Sequence, residues 1–578
     1  MNHNEFFITH SLTKVFPSKR PERMADGARL SVWPGSRAAV QLVYCGAAAA
    51  DLDMPREFAR IQVEGAPCEV KMYTVDLVPS DFTAYDGFDN EFITKEPGLF
   101  PDLLSPMESN YVRLIPHQFR SVWISFELSP DTVPGDYQIS ICAIAPAKRL
   151  NNRGSEEYLD DDESRKHTSR LVLSVGPVQL HPLKLIHTEW FHADCLASWY
   201  KVQPFDEKHW AIVEEYIKDA VERQCVNALL TPVFTPPTDT APGLYRPAVQ
   251  LVDVTVSGGE YYFDFKKLRR WIEICRRVGV EYIEVPQLFT QWGAHATPQV
   301  LAEVDGETRQ IFGWDVPAGS KEYRKFLCTL LPQLREELRA CGYDDKHVLY
   351  HISDEPGPGQ LEAFATAKRQ VQDLIKGSPI IDSYSAMDCT DSEDIYWPEI
   401  STDLAQPLLD AGVKDICVFY CCQQGRGSPN RFFAMESWRN RIMGVLLYLQ
   451  GYRGFLHWGY NFWYSAYSYK LIDPFRVTHS DYGFPSGDAY LVYPGPNGSP
   501  LSSLRAEVQY EALVDLRAFE LLESLVGREK VVRLIYSDSP VQQMTMEAYP
   551  HSADYLLKLR EKTAEAIRNA LEASHESV

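Results

Sequence analysis

From residue 185 onward, strand-like and helix-like stretches alternate, and that alternation limits the chain to very few folds. Eight runs rich in β-branched and aromatic residues recur there: LIHTEWFH, VNALLTPVF, VEYIEVPQLF, HVLYHISDE, PIIDSYSAM, DICVFYCC, GFLHWGYNF and AYLVYPG. Most are followed by a stretch with helical apolar spacing, over 207–223, 265–278, 320–340, 360–374, 437–450 and 503–525. The weakest helical stretch is STDLAQPLLDAG, after the fifth run. Eight such units in about 330 residues predict a (β/α)8 TIM-type barrel over 181–525. An open doubly wound sheet would want a glycine-rich phosphate turn after its first strand, and HTEWFHADC has none.

The flanking segments read differently, so the chain is predicted to be a multidomain α/β protein. Over 1–180 the runs RAAVQLVYC, SVWISFELS, GDYQISICAIA and SRLVLSVGPVQL, punctuated by turns such as DTVPGDY, predict an N-terminal β-sandwich. The polar stretch NNRGSEEYLDDDESRKHTSR fits an exposed hairpin loop. Over 526–578 a helical extension is predicted, with Leu556, Leu557, Leu559, Ala564, Ile567 and Leu571 on one broad stripe that packs on the barrel or on a partner subunit.

Charge and cysteine usage exclude several classes. The net charge of −22 offers no basic face for nucleic acid. There is no unbroken apolar run of membrane-spanning length, so no membrane insertion is expected. The N-terminal MNHNEFFITHSLTKVFPSKR lacks a basic segment followed by an apolar core, and the 12 cysteines are scattered without a C-x-x-C pair, which together predict a reduced, cytoplasmic protein. Cys417, Cys421 and Cys422 have no matching histidine pair, so no metal and no cofactor is expected and the thiols are read as core. Nothing in the sequence sets an oligomeric state.

In a (β/α)8 barrel the chemistry sits at the C-terminal ends of the strands. Strand side chains alternate in direction. In the fourth run Val348, Tyr350 and Ile352 share the parity of the helix-facing side, while Leu349, His351, Ser353 and Glu355 point to the axis. Asp354 lies where regular pleating ends and can turn to the same mouth. The same alternation offers Glu189 from the first run, with His192 and Asp194 in its loop, Glu284 from the third, and Asp382 and Tyr384 from the fifth. The sixth ends at Tyr420, and the seventh presents His457 and Asn461 inward with Trp458 on the other parity. With Gln291 and Trp292 these ends are rich in aromatic rings and amides. Aromatic faces stack on sugar C–H faces and amides bond hydroxyls, so the predicted partner is a carbohydrate. The candidate substrate-binding set is Glu284, Gln291, Trp292, His192, Asp194, Tyr384, Tyr420, His457, Trp458 and Asn461.

Glycoside hydrolysis commonly uses two acids, about 5–5.5 Å apart for retention and about 6.5–9.5 Å for inversion. Many barrel glycosidases carry the nucleophile on the seventh strand, and here that run has no acid. A substrate with a 2-acetamido group needs no protein nucleophile, because its own carbonyl oxygen attacks the anomeric carbon. The enzyme then supplies an acid/base and a carboxylate that orients the acetamido N–H, and those two groups can be sequence neighbours. Asp354 and Glu355 meet that requirement. A sugar lacking the acetamido group would instead call for Glu284 or Asp382 opposite Glu355, and a non-catalytic carbohydrate-binding protein is the remaining reading.

FTQWGA (289–294), IFGW (311–314), HISDEP (351–356), SPNRFFAM (428–435), GFLHWGYNFW (454–463) and FPSGDAYLVYPG (484–495), in this order, closely resemble the DUF4091 proteins, the catalytic-domain family of glycoside hydrolase family 123. The resemblance implies an N-terminal β-sandwich, a (β/α)8 barrel, and a retaining exo-acting β-N-acetylgalactosaminidase working through the acetamido group. It implies that Asp354 orients that group and that Glu355 is the acid/base. The expected partner is then a terminal β-linked N-acetylhexosamine.

Overall fold

The computed structural model describes residues 3–47, 56–151, 153–160, 162–384 and 396–576. The N-terminal region is built of two sheets. One orders Glu5–His10, Arg37–Cys45, Phe119–Glu127, Glu69–Ser80 and Gly98–Pro106, all antiparallel. The other orders Ala28–Val32, Lys166–Val175, Gly135–Leu150, Arg56–Glu64 and Tyr111–Arg113, with its first pair parallel. Alternate residues of both sheets, among them Val40, Leu42, Val122, Ile124, Ile61, Ile139, Ile141 and Leu171, share one apolar cluster. Period-two alternation in the sequence is the direct cause, since each strand buries one face.

The following region holds eight parallel strands in one curled sheet. In chain order they are Ile186–Glu189, Ala228–Leu230, Tyr282–Val285, Val348–Tyr350, Ser383–Tyr384, Glu399–Ser401, Cys417–Phe419 and Gly454–His457, referred to below as strands one to eight. Neighbours in sequence are neighbours in space, and strand one pairs with strand eight. Strands four and five, the ends of that path, are bridged in parallel through Tyr350 and Ile380, with Ile381 N–H donating to Tyr350 C=O at 2.9 Å. Helices Glu207–Glu222, Lys266–Val278, Lys321–Ala340 and Leu361–Val371 follow strands one to four. A small sheet of Asp253–Ser257, Glu260–Asp264, Val300–Val304 and Glu307–Phe312 is inserted between them.

Two of the strand expectations are corrected. AYLVYPG is not in the parallel sheet: Tyr493–Pro494 pairs antiparallel with Pro500–Leu501. A run of buried apolar residues marks burial and does not distinguish a parallel strand from a buried loop. The missing strand is Glu399–Ser401, three residues with a carboxylate at their head and little β-branched character. DICVFYCC therefore supplies the seventh strand and GFLHWGYNF the eighth, and the sixth strand carries an acid.

The helix Leu504–Val526 joins all parts of the molecule. Ser503 caps it, its Oγ accepting from Ala506 N–H at 3.1 Å. It is buried on nearly every side, so its charges are paired. Arg505 forks onto Asp102 of the N-terminal sheet with both contacts at 2.9 Å. Glu507 meets Arg37 at 2.8 Å and Arg223 at 3.2 Å. Asp515 meets Arg441 at 2.8 Å and Arg560 at 2.6 Å. Arg560 belongs to the terminal helix Ala553–Glu576, whose Leu556, Leu559, Ala564 and Ile567 are buried as the stripe predicts. The helix Met443–Gln450 comes so close that a Cβ at Gly444 would lie 2.0 Å from the Ala512 carbonyl oxygen.

The Arg505–Asp102 pair is 2% and 1% exposed. Removing one partner of a buried pair strands the other charge, so Arg505→Ala should lower the unfolding free energy by about 3–5 kcal/mol. The double change Arg505→Met with Asp102→Leu should recover most of that. Urea denaturation of the three proteins checks it, and equal losses in the single and double variants would show that the charge is not the cause.

Candidate active site

Strand four runs into the turn that carries the two acids. Leu349 packs inside the sheet with Ile186, Ala228, Ile381 and Cys417, while Val348, Tyr350 and Ile352 face the helix side, as the alternation predicts. His351 also points inward. Its Nε2 lies 2.6 Å from Glu284 Oε1 and its Nδ1 3.7 Å from Asp382 Oδ1. Burial pushes this imidazole down, but Asp382 and Glu284 together hold it well above its ordinary value. Glu284 also accepts from Trp190 Nε1 at 2.7 Å and Thr188 Oγ1 at 2.8 Å. This polar layer is the floor beneath the cleft.

The turn itself departs from strand geometry. Regular pairing ends at Tyr350, and Glu355 has φ 39°, in the left-handed region. Its placement therefore comes from the turn and not from strand parity, which corrects the sequence argument. Both acids line the same cleft, with Trp190, Thr238, Asp239, Gln291, Trp292, Ser383, Phe419, Cys421, Cys422, Leu456, Trp458 and Phe484 around them. The backbone is held from several sides. Asp382 Oδ1 accepts from Ile352 N–H at 2.7 Å, Trp292 N–H donates to Asp354 C=O at 2.9 Å, and Glu355 N–H donates to Ser383 C=O at 3.0 Å.

Burial, then the neighbouring Glu355, raises the Asp354 carboxyl well above the usual carboxylate range. Glu355 is raised too, by burial and then by Asp403 and Asp488. Two carboxyls this close repel each other's charge, so the pair retains a proton at pH values where an isolated carboxyl has lost it. Around them, burial pushes Asp239 up to about 7 and Glu399 to about 8.

Of the candidate set, Asp354, Glu355, Gln291, Trp292 and Trp458 line the cleft. Gln291 also accepts from Asp239 N–H at 2.8 Å and so shapes the loop after strand two. Glu284 lies in the floor. His192, Asp194, Tyr420, His457 and Asn461 are not among the residues that line it. His192 Nε2 donates to the Trp458 carbonyl at 3.0 Å, and burial with nearby Arg246 pushes it down to about 3. Asn461 clamps the His192 backbone, and Asp194 pairs with Arg246 at 3.1 Å. Tyr420 faces the helix-side core. The Tyr384 side chain lies outside the described residues.

His457 and Glu189 are corrected as well. On strands one and eight the inward residues are Thr188, Trp190, Leu456 and Trp458. Glu189 and His457 sit on the opposite side, where Arg431 Nη1 bonds Glu189 at 2.7 Å, Arg431 Nη2 bonds His457 Nδ1 at 2.6 Å, and Gln509 bonds Glu189 at 2.6 Å. The ion network on that side, and not hydropathy, decides the parity. Cys421 and Cys422 are corrected from core to cleft lining, whereas Cys417 is buried. Among the described residues, no group of three His, Cys, Asp or Glu side chains could hold a metal ion.

Asp239, Thr238, Ser383, Phe419 and Phe484 are cleft residues that the sequence reading did not single out. The proline-rich loop TPPTDTAPG after strand two was the available signal, since loops at strand C-termini form barrel sites. Asp382 holds the turn before the acids, so Asp382→Ala should lower stability by about 1–3 kcal/mol, the cost of leaving buried N–H donors unpaired. Urea denaturation at pH 7 measures it. A change below about 0.5 kcal/mol would show that Asp382 does not hold the turn.

The family model described as "Glycoside hydrolase 123, catalytic domain" matches residues 190–522, more than half of the chain. A solved structure of a family 123 glycoside hydrolase from Clostridium perfringens, described in terms of glycolipid glycan hydrolysis, superposes with a TM-score of 0.70 at 14% identity, covering 100% of both chains. That is a likeness of fold. A β-D-glucuronidase from Dictyoglomus thermophilum gives 0.30 at 9% identity, and a GH2 β-galacturonidase from Eisenbergiella tayi 0.29 at 8%, each covering 89% of this chain and 98% of its own. No curated protein matches the chain.

Proposed function

The chain belongs to glycoside hydrolase family 123, and from that premise we propose that it is a retaining, exo-acting β-N-acetylgalactosaminidase that uses the substrate's own acetamido group. The observation that carries this reading is the adjacent pair Asp354 and Glu355, both lining one cleft walled by Trp190, Trp292 and Trp458. We read the two N-terminal sheets as a β-sandwich over 1–180, the eight parallel strands as a (β/α)8 barrel over 181–525, and 526–578 as a helical extension. No described helix is long and apolar enough to cross a membrane. The eleven described cysteines are free, which supports placing the reaction in the reducing cytoplasm.

In the proposed reaction the acetamido oxygen attacks the anomeric carbon while Glu355 protonates the departing glycosidic oxygen. Asp354 accepts the acetamido N–H and offsets the positive charge that spreads over the forming oxazolinium ring. Water then opens that ring with Glu355 as base, so configuration is retained. In the free protein burial raises both carboxyls, so the pair holds a proton between them. Substrate decides which of the two carries it. An N–H donated to Asp354 favours its charged form and leaves the shared proton on Glu355, where the acid is needed. Glu284 and Asp382 are poor bases for an ordinary double displacement, because Glu284 is engaged by Thr188, Trp190 and His351 and Asp382 by the strand-four backbone.

On 4-nitrophenyl N-acetyl-β-galactosaminide, Glu355→Gln and Asp354→Asn should each lower kcat/KM by about 10²–10⁴-fold. A thiazoline analogue of N-acetylgalactosamine should inhibit the wild type competitively. Near-normal turnover by Glu355→Gln would remove it from the acid/base role, and activity on plain galactosides without thiazoline inhibition would remove the acetamido route.

The acid form of Glu355 is lost as pH rises through its raised pKa. Asp403 is exposed and helps to hold that pKa up. Asp403→Asn should therefore move the alkaline limb of kcat/KM to lower pH, and 1 M salt should move the wild-type limb the same way by screening. A limb that moves up, or not at all, would contradict Glu355 as the acid.

A further inference from the structure

Three aromatic rings run from the cleft out to solvent. Trp292 lines the cleft and is half-buried. Its ring meets Tyr467 edge to face at 5.7 Å between centroids, and Tyr467 meets Tyr469 at 6.1 Å. Tyr467 is 48% exposed and Tyr469 68%. Isolated exposed tyrosines mean little, but the backbone here is constrained to present these.

Trp292, Tyr467 and Ser468 have φ of 56°, 60° and 58°, a region that bulky residues avoid. Each is held there by bonds to another loop. Trp292 N–H donates to the Asp354 carbonyl at 2.9 Å. Tyr467 N–H donates to Asp239 Oδ2 at 2.9 Å, Ala241 N–H to the Tyr467 carbonyl at 3.0 Å, and Ser468 Oγ to the Asp239 carbonyl at 2.7 Å. On the far side, Ala466 N–H reaches the Ser480 carbonyl at 2.9 Å and Lys470 pairs with Asp481 at 2.7 Å. The backbone carrying Trp292 and Tyr467 is thus tied to the turn of the acids and to the Asp239 loop. Tyr467 and Tyr469 leave about half or more of their surface to solvent, so deep burial does not offset the strain, and such strain collects where a ligand is gripped.

We propose that Trp292, Tyr467 and Tyr469 form an aglycone track that binds the second and third sugar rings of an oligosaccharide substrate. The proposal rests on the glycosidase reading of the cleft. The occupant is the substrate's own chain because the track begins at a cleft-lining residue and continues outward without a break. Pyranose C–H faces suit the ring faces, and the tyrosine hydroxyls suit sugar hydroxyls. A rigid platform of this kind loses little entropy on binding.

The test compares two substrates: 4-nitrophenyl N-acetyl-β-galactosaminide, and a trisaccharide in which β-linked N-acetylgalactosamine caps lactose. Tyr469→Ala and the Tyr467→Ala/Tyr469→Ala double variant should lower kcat/KM on the trisaccharide by about tenfold or more, mainly through KM, the scale of losing an aromatic anchor. The aryl glycoside should change by less than about twofold on that scale. Tyr469→Trp should restore the trisaccharide value. Equal losses on both substrates, or no loss on either, would overturn the track. If the wild type cleaves neither, the glycosidase reading fails by itself, and saturation-transfer NMR with lactose still decides the track. Signals present with wild type and lost in the double variant support it, and signals absent or unchanged overturn it.

Discussion

The helix Leu504–Val526 is buried along nearly its whole length and yet carries Arg505, Glu507, Glu511 and Asp515. A buried charge is tolerable only when paired and hydrogen-bonded. Each of these is paired, and each partner lies in a different part of the chain: Asp102 and Arg37 in the N-terminal sheets, Arg223 after the helix Glu207–Glu222, Arg441 ahead of strand eight, and Arg560 in the terminal helix. Apolar contact alone lets layers slide, whereas a guanidinium forked onto a carboxylate has one register. The relative placement of the N-terminal sheets, the parallel strands and the terminal helix follows from that requirement.

The requirement reaches the cleft through Gln509, on the same helix. It bonds Glu189, which is also held by Arg431, and Arg431 in turn bonds His457. These contacts fix the outward faces of strands one and eight, and by alternation they commit Trp190, Leu456 and Trp458 to the inside. The N-terminal region also braces the segment that follows strand seven. Asp89 pairs with Arg439 and accepts from Gly427 N–H, while Phe88 stacks on Phe432. The floor works by the same logic, with His351 held between Glu284 and Asp382.

Alternation in the sequence was enough to find seven of the eight parallel strands, most of the helices between them and the turn bearing Asp354 and Glu355. It was reliable where one face of a strand meets only apolar neighbours, as with Leu349 against Val348 and Tyr350. It failed where both faces carry polar residues. Glu189 and His457 looked inward because acids and histidines are expected at a mouth, but a buried arginine supplied by a loop some 240 positions away from Glu189 gives Glu189 its partner on the other side. Glu399–Ser401 was invisible because three residues are too few to show a period. Asp239 was missed because a loop has no period at all.

The adjacency of the two acids follows from the same geometry. In extended backbone, neighbouring side chains leave opposite faces, so Asp354 and Glu355 could not share a cavity had the strand continued. The left-handed turn at Glu355 brings both round to one side, at about 1–2 kcal/mol for a residue with a Cβ. That conformation persists because the peptide is gripped on both sides: Asp354 C=O by the Trp292 amide, and Glu355 N–H by the Ser383 carbonyl. The loop after strand three and strand five thus set the direction of two carboxyls on strand four. Trp292, itself left-handed, is both the clamp on the Asp354 peptide and a wall of the cleft.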